Sequence, residues 1–363
     1  MADARDILRV ALGHHQAGRL DVAEPMYRQV LAAEPANAMA MHLLGVVCGQ
    51  CGRPAEAVEW IGKAIAILPG DGAFWGNLGR FLMDLGRFEK AAAATREAIR
   101  LGLRTAPAYD NLGNALAATG RLTEAIEAHK MAISLDAGLA EAHHNLAHAL
   151  KQIGDLLGAL AEAELAIGLR PRYGAAHMNR GLILAAMGKL DEGIAALQRA
   201  TDLEPQLAAA HNNLGMVLKD AGELDRAMAA FGRAVELDGA YAGAHSNLLL
   251  ALHMDPASTA ESLLARHKEW ETRHARGLAA EATAFANTRE TDRRLRIGYV
   301  SADFCDHPVG RFILPLLAGH DAAKCEVTCY ADVPVPDAMT AKLRGHAAQW
   351  RPIAGMPDEV TGS

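Results

Sequence analysis

The sequence predicts a mainly α-helical solenoid of stacked helix pairs, followed by a short α/β segment. Three sets of small residues recur every 34 residues, all in one register. The first set is Gly18, Gly52, Gly86, Gly120, Gly154, Gly188 and Gly222. The second is Gly45, Gly79, Gly113, Ala147, Gly181 and Gly215, and the third is Ala23, Ala57, Ala91, Ala125, Ala159, Gly193 and Ala227. A fixed period of this length is typical of a repeat array in which each unit is one helical pair.

Each set of small residues has a physical role within the pair. A glycine of the first set ends the first helix, because a left-handed cap is unstrained without a Cβ. The second and third sets lie in mid-helix, where the two helices of a pair must approach closely. Prolines close several units because proline cannot continue the second helix; they are Pro35, Pro69, Pro171 and Pro205. Between these marks, apolar residues recur at helical spacing, as at Trp75, Leu78 and Leu82.

These spacings resemble the tetratricopeptide repeat, which implies a right-handed superhelix with a concave inner face. Seven units of 34 residues are predicted over residues 4–241, followed by an eighth first helix. After Asp255-Pro256, Ser258 and Glu261 form an S-x-x-E capping box that predicts a further helix through about His274. This helix is expected to cap the stack, as a terminal repeat must.

Composition narrows the class of partner and the compartment. The net charge is −7, from 36 basic and 43 acidic residues without a basic patch, so nucleic acid and anionic membranes gain no support as partners. Five cysteines in a long chain argue against a secreted disulfide framework. Charges interrupt the N-terminal stretch, and no run of apolar residues is long enough for a membrane span, so a cytoplasmic protein is expected.

An asparagine column is the main candidate site. Six asparagines follow each other at 34-residue steps: Asn77, Asn111, Asn145, Asn179, Asn213 and Asn247. They stand two residues before the small residue of the first helix, which turns them about 200° away from the crossing inside the pair, towards the concave groove. An amide side chain can bind both the C=O and the N–H of an extended peptide. The alternative is structural: the asparagines bridge neighbouring helices.

Two other patterns suggest metal or redox chemistry, but packing explains them better. His143, His177 and His211 recur every 34 residues, as does His245. Zinc bonds of about 2.0–2.1 Å are far shorter than the separation between helices, so no metal site is expected. Cys48 and Cys51 form a C-x-x-C without a second pair, and Cys48 lies in a core column, which favours a buried apolar role.

The C-terminal segment has a different pattern. LRIGYV at 295–300 predicts a strand, RFILPLLAGH a helix, CEVTCYAD a second strand, DAMTAKLRGHA a second helix and QWRPIAG a third strand. This alternation indicates βαβ units and a parallel sheet. Ligands of such sheets bind beyond the carboxyl ends of the strands, where Asp303, Asp306 and His307 follow the first strand. A histidine there is a candidate acid or base, with a helix-capping or loop-fixing role as the alternative.

RIGYVSADFCDHPVGRF and CEVTCYAD, together with the asparagine column, resemble the SPINDLY-type O-linked N-acetylglucosaminyltransferase family. The resemblance implies a two-lobed GT-B catalytic region that transfers N-acetylglucosamine from UDP-GlcNAc to Ser or Thr of proteins, without a metal or another cofactor. It implies that His307 corresponds to the active-site histidine, and that the six asparagines bind the backbone of a protein or peptide substrate in the groove.

The sequence differs from this family in the extent of its catalytic region. Residues 293–363 would form only the first part of the catalytic domain. The expected domains are the repeats at 4–241, an eighth first helix with a capping helix and linker at 242–292, and the incomplete segment at 293–363. The chain alone is then expected to be inactive. It is a truncated transferase, a fragment, or a non-catalytic scaffold that binds partner proteins through its groove; oligomeric state is left open.

Overall fold

The computed structural model describes residues 3–276, 290 and 293–356. Its larger part is a stack of helices in antiparallel pairs. In chain order they are α1 (Ala4–Gln16), α2 (Leu20–Ala33), α3 (Ala38–Gln50), α4 (Pro54–Ile67), α5 (Gly72–Asp84), α6 (Phe88–Arg100), α7 (Ala106–Ala118), α8 (Leu122–Leu135), α9 (Ala140–Gln152), α10 (Leu156–Leu169), α11 (Gly174–Ala186), α12 (Leu190–Leu203), α13 (Ala208–Asp220), α14 (Leu224–Leu237), α15 (Ala242–Met254) and α16 (Ala260–His274). The predicted fold class is confirmed.

The two glycine sets act as their spacing predicts. All seven glycines that follow a first helix have positive φ angles, between 67° and 84°. The mid-helix glycines allow the close crossing of a pair. A Cβ added at Gly45 would lie 2.7 Å from Ile61 Cγ1, and one added at Gly79 would lie 2.3 Å from Thr95 Oγ1. Each pair therefore folds around a contact that only a very small residue permits.

The helix after the array ends at His274 as predicted, but its capping box is shifted by one residue. Thr259 is the N-cap, and its side chain and that of Ser262 each bond the backbone of the other. The predicted box of Ser258 and Glu261 is wrong, because the Ser258 hydroxyl bonds Asp255 in the preceding turn. Thr259, whose backbone is extended, is therefore the N-cap of the helix.

The C-terminal unit is a three-stranded parallel sheet with two helices. Its elements are β1 (Leu295–Ser301), α17 (Pro308–Gly319), β2 (Cys325–Ala331), α18 (Ala338–Arg344) and β3 (Gln349–Pro352). The strand order is β1-β2-β3, so the predicted parallel arrangement is confirmed. Helix α17 begins three residues before the predicted start, because His307 caps it and Pro308 suits its first turn. Phe304, Leu317 and Cys329 lie in the core of this unit.

The contacts divide the chain after Glu281 into two compact units. The boundary predicted at residue 292 stays a prediction, because residues 291–292 lie outside the described part. Among the described residues, no helix has the length and apolarity needed to cross a membrane.

Candidate functional site

The asparagine column lies on the first helices of the third to eighth pairs, on α5, α7, α9, α11, α13 and α15. Successive first helices contact each other along the whole stack, whereas successive second helices hardly do. The first helices therefore form the inner side of the stack, and the column runs continuously along it. We call this surface, defined by the six asparagines and the residues between them, the ladder face.

Four of the six asparagines bridge to the preceding repeat. Each uses its amide nitrogen, and each partner stands 35 residues earlier. The pairs are Asn77 with His42 Nε2 at 2.9 Å, Asn145 with both Asp110 oxygens at 3.1 Å, Asn179 with the His144 carbonyl at 3.5 Å, and Asn247 with Asn212 Oδ1 at 2.9 Å. The bridges of the structural alternative are therefore present at these four, and peptide binding stays a prediction for the column.

The bridges use the side-chain nitrogens, so the side-chain oxygen is the atom that stays available to bind a ligand. The side-chain oxygens of Asn77, Asn145 and Asn247 accept no hydrogen bond from the described residues. An acceptor fixed in this way suits a peptide N–H. Asn179 differs, because it is only 2% exposed and its oxygen is buried without a partner in the described part of the chain. It would have to shift before it could reach a ligand.

Asn111 and Asn213 are the two asparagines that make no such bridge. Both are half-buried, and within the described residues neither side chain is hydrogen-bonded. Asn111 lines a cleft of about 220 Å³ together with Asn77 and Arg80. These two amides keep both donor and acceptor available, as the sequence interpretation requires of the whole column.

A buried carboxylate beside the column was missed by the sequence analysis. Asp110 is 7% exposed, and one of its oxygens lies 2.8 Å from Nδ1 of His129, which is itself 1% exposed. The bonds from Asn145 complete the partners that a buried charge needs. The available signal was a charged residue in the interior of a first helix, but it belongs to none of the 34-residue sets.

Two histidines with lowered pKa values lie beside the asparagine column, His42 buried and His144 half-buried. His42 stacks on Phe74 at 4.3 Å, and burial lowers the pKa of His42 to about 4. Burial likewise lowers the pKa of His144 to about 4. Both are neutral at pH 7, so neither adds a charge of its own beside the column.

Two members of the histidine column fix loops. His177 and His211 each place Nε2 at 3.1 Å from a proline carbonyl six residues earlier, and Trp75 donates its indole N–H in the same way at 2.9 Å. The described residues contain no group of His, Cys, Asp and Glu that could hold a metal ion. Cys48 is fully buried, and burial raises the pKa of its thiol to about 11, so it is not a reactive thiolate.

His307 lies at the carboxyl end of β1, where it caps α17. Its Nδ1 accepts the backbone N–H of Val309 at 3.3 Å and lies 3.7 Å from an oxygen of Asp303. A neutral imidazole that accepts at Nδ1 carries its proton on Nε2, so its free nitrogen is a donor. The predicted capping alternative is present, and a role towards a ligand stays a prediction.

The loop that carries His307 is held by close packing. A Cβ at Gly310 would lie 2.2 Å from the Cys305 carbonyl oxygen, so only glycine allows the helix to approach the loop. Asp337, the N-cap of α18, accepts the backbone N–H of Asp306 at 2.6 Å. Bonds from the backbone of Thr340 and then of Asp306 lower the pKa of Asp337. The Asp337 carboxylate thereby links the start of α18 to the loop that precedes α17, beyond the end of β1.

Comparison with family models assigns both units. The model of glycosyl transferase family 41 matches residues 244–349. Tetratricopeptide-repeat models match residues 8–72, 73–101, 113–154, 140–173, 181–222 and 208–241.

Curated relatives agree with these matches. The chain is 35% identical over 115 residues to a probable UDP-N-acetylglucosamine–peptide N-acetylglucosaminyltransferase SPINDLY of Hordeum vulgare, covering 31% of the chain and 12% of the relative. It is 33% identical over 119 residues to the corresponding protein of Petunia hybrida, covering 32% of the chain and 13% of the relative. The matches thus span about an eighth of each relative's length.

Solved structures give the same picture. A mutant O-GlcNAc transferase of Thermobaculum terrenum is similar with a TM-score of 0.51 and 32% identity, over 62% of this chain and 43% of that one. A tetratricopeptide-repeat protein of Parabacteroides merdae has a TM-score of 0.58 at 17% identity, over 69% of this chain and 98% of that one, and shows the fold alone. Taken together, these findings show that the chain belongs to the tetratricopeptide-repeat proteins and carries a segment of glycosyl transferase family 41, in which it is similar to the SPINDLY-type O-linked N-acetylglucosaminyltransferases.

Proposed function

We propose that this chain serves protein O-GlcNAcylation as the part that selects the acceptor. The repeat array binds an extended segment of the acceptor protein along the ladder face. The α/β unit contributes His307 to the catalytic region that transfers N-acetylglucosamine from UDP-GlcNAc to Ser or Thr. The observation that carries the proposal is a continuous column of oriented amides in the same chain as a family 41 segment.

The geometry favours recognition of the peptide backbone. Packed helices stand about 8–10 Å apart, and an extended chain rises about 3.3 Å per residue. One asparagine per repeat therefore meets a bound strand at about every third residue. Because the oxygens of the bridged asparagines are the free groups, they accept N–H bonds that every residue except proline can donate. The column is then expected to bind peptides of many different sequences.

The test replaces Asn111 and Asn213 by Ala, because neither makes a hydrogen bond that folding would lose. Binding of a fluorescein-labelled, Ser/Thr-rich extended peptide is followed by anisotropy. Two lost hydrogen bonds of about 0.5–1.5 kcal/mol each predict affinity weaker by about tenfold, at unchanged helicity. The matched control replaces Gln29 and Arg199, two exposed polar residues of second helices, and should bind as the parent does. Equal affinity in both variants would refute the proposal.

A second function needs only the first unit. The array up to Glu281 is compact by itself, so it is able to act as a scaffold that binds partners without transferring a sugar. Calorimetric titration with UDP-GlcNAc separates the two functions. Donor binding that is lost in a His307→Ala variant but kept in His307→Asn, which retains a capping side chain, supports the transferase role. Peptide binding without any donor binding supports the scaffold.

A further inference from the structure

An open apolar slot lies away from the ladder face, between the second helices α4 and α6. We call it the Trp75 slot. Its volume is about 580 Å³, and it is lined by Val58, Gly62, Trp75, Leu78, Leu82, Arg87, Lys90, Ala93, Ala94 and Glu97. Trp75 and Leu78 are half-buried and pack against the buried core beneath them. The indole N–H is already bonded to the Pro69 carbonyl, so the ring itself is available as an apolar surface.

At the same position one repeat later, side chains of the protein itself occupy part of the slot. There the slot around Tyr109 measures about 260 Å³. Arg96 stands where the Trp75 slot has Gly62, and Glu124 stands where it has Lys90. Arg96 crosses the slot to bond Glu124 at 2.8 Å, and Arg121 also bonds that carboxylate. One repeat earlier, the side chain that would cover the apolar floor is missing.

The charges at the Trp75 slot are unbalanced. Arg87 and Lys90 form no ion pair with any described residue, whereas Arg121, the counterpart of Arg87 one repeat later, pairs with Glu124. The single carboxylate of the lining, Glu97, accepts hydrogen bonds from Nη2 and Nε of Arg100 at 2.5 and 2.8 Å, and these bonds lower the pKa of Glu97. The rim is therefore cationic above an apolar floor, and it complements an apolar group flanked by carboxylates.

We propose that the Trp75 slot binds an acidic peptide segment of a partner protein. The segment inserts one bulky apolar side chain over Trp75 and places neighbouring Asp or Glu carboxylates against Arg87 and Lys90. The occupant is a peptide because Gly62 and Ala93 are exposed and leave the slot open along one side, where a peptide backbone stays in water. This slot is separate from the ladder face, because it lies between the second helices α4 and α6 and shares no lining residue with the cleft at Asn77 and Asn111.

The test introduces into the Trp75 slot the Arg–Glu pair that covers the equivalent position one repeat later. A Gly62→Arg, Lys90→Glu double variant restores the pair that the chain itself uses one repeat later. The change is compatible with folding, because a Cβ at Gly62 meets no atom within 4 Å. The full chain is titrated with a fluorescein-labelled peptide in which one Phe-Leu pair is flanked by Asp and Glu on both sides. We expect affinity weaker by about tenfold in the variant, at an unchanged Tm.

Control peptides and a reciprocal variant sharpen the result. Peptides with Ser in place of Phe and Leu, or with amides in place of the carboxylates, should bind more weakly than the parent peptide. The Arg96→Gly, Glu124→Lys variant should gain a second binding equivalent at the Tyr109 position. Replacement of Asn111 and Asn213 by Ala weakens binding of the same peptide to the ladder face and should leave the difference between the parent and the grafted slot unchanged. Equal affinity of the parent chain and the grafted variant, or no saturable binding at millimolar peptide, would overturn the proposal.

Two other occupants are distinguished by the same variants. Dodecanoate that binds the parent chain when the peptide does not would identify a small amphiphile instead. Self-association in analytical ultracentrifugation that the grafted variant abolishes, again without peptide binding, would identify a second copy of the chain. Either result overturns the assignment to a partner peptide.

Discussion

At the scale of single residues, two histidines with lowered pKa values beside the asparagine column make the stability of the array depend on pH. The ordinary pKa of 6.5 applies to the unfolded chain, and burial lowers the pKa of both His42 and His144 to about 4 in the fold. Between these values the unfolded chain binds protons that the folded chain does not. Their contribution to stability is therefore complete above pH 6.5 and is lost as the pH falls towards 4.

We expect a His42→Leu, His144→Met variant to lose less stability than the parent between pH 7.5 and pH 5. The replacements are those that the chain itself uses in the same column, at Leu8 and Met178. The difference should be of the order of 1–2 kcal/mol for each histidine at pH 5, measured by urea unfolding. Parallel pH profiles for parent and variant would contradict the assignment of buried, neutral histidines.

The sequence predicts residue roles well where one repeat suffices to define them. The glycine caps were predictable because a left-handed turn is a local requirement. The partners of the asparagines were not, because the bridge from Asn145 to Asp110 depends on how one repeat rotates against the next. The same holds for the buried pair of Asp110 and His129, which a single-residue column does not reveal.

At the scale of elements, the close crossing of the two helices in a pair determines whether its mid-helix glycine can be replaced by a larger residue. At Gly181 a Cβ would lie 2.6 Å from Leu197 Cγ and 2.9 Å from the Gly193 carbonyl oxygen. In the fifth pair Ala147 is accepted at the same position, and the facing residue of the second helix is Ala163. The size of the facing residue therefore decides whether the column requires glycine.

A matched pair of substitutions tests this reading of the crossing. Gly181→Ala should destabilise the array by about 1–3 kcal/mol, because the backbone of α12 must move. Gly62→Ala should instead stabilise it by about 0.5–1 kcal/mol, since that glycine is exposed in mid-helix with open space around it. Chemical denaturation gives both values. A neutral effect at Gly181 would show that the crossing is not tightly packed.

Strand and helix order in the C-terminal unit was also predictable, because each element is bounded by turn residues. The start of α17 was not, since it depends on the capping bond that His307 accepts from Val309. The shifted box before α16 has the same cause: several Ser and Thr residues compete for one N-cap, and the geometry of the preceding turn decides between them.

At the scale of the whole molecule, the two units have separate cores. We expect a chain ending at Glu281 to keep its helical signal and to melt cooperatively within about 2 °C of the parent array transition, because the contacts that stabilise a repeat come from its neighbours. Circular dichroism with thermal melts provides the measurement. Loss of the cooperative transition would show that the α/β unit is required for the array to fold.

The central claim is that the ladder face binds peptide backbone rather than side chains. Calorimetric titration with two modified peptides tests it most directly. One carries N-methyl groups at every third amide, which remove N–H donors while keeping all side chains, and the other has its side chains scrambled while all amides remain. We expect methylation to weaken binding by about tenfold or more and scrambling to change affinity by less than about threefold. The reverse pattern would show that the groove recognises side chains rather than the peptide backbone.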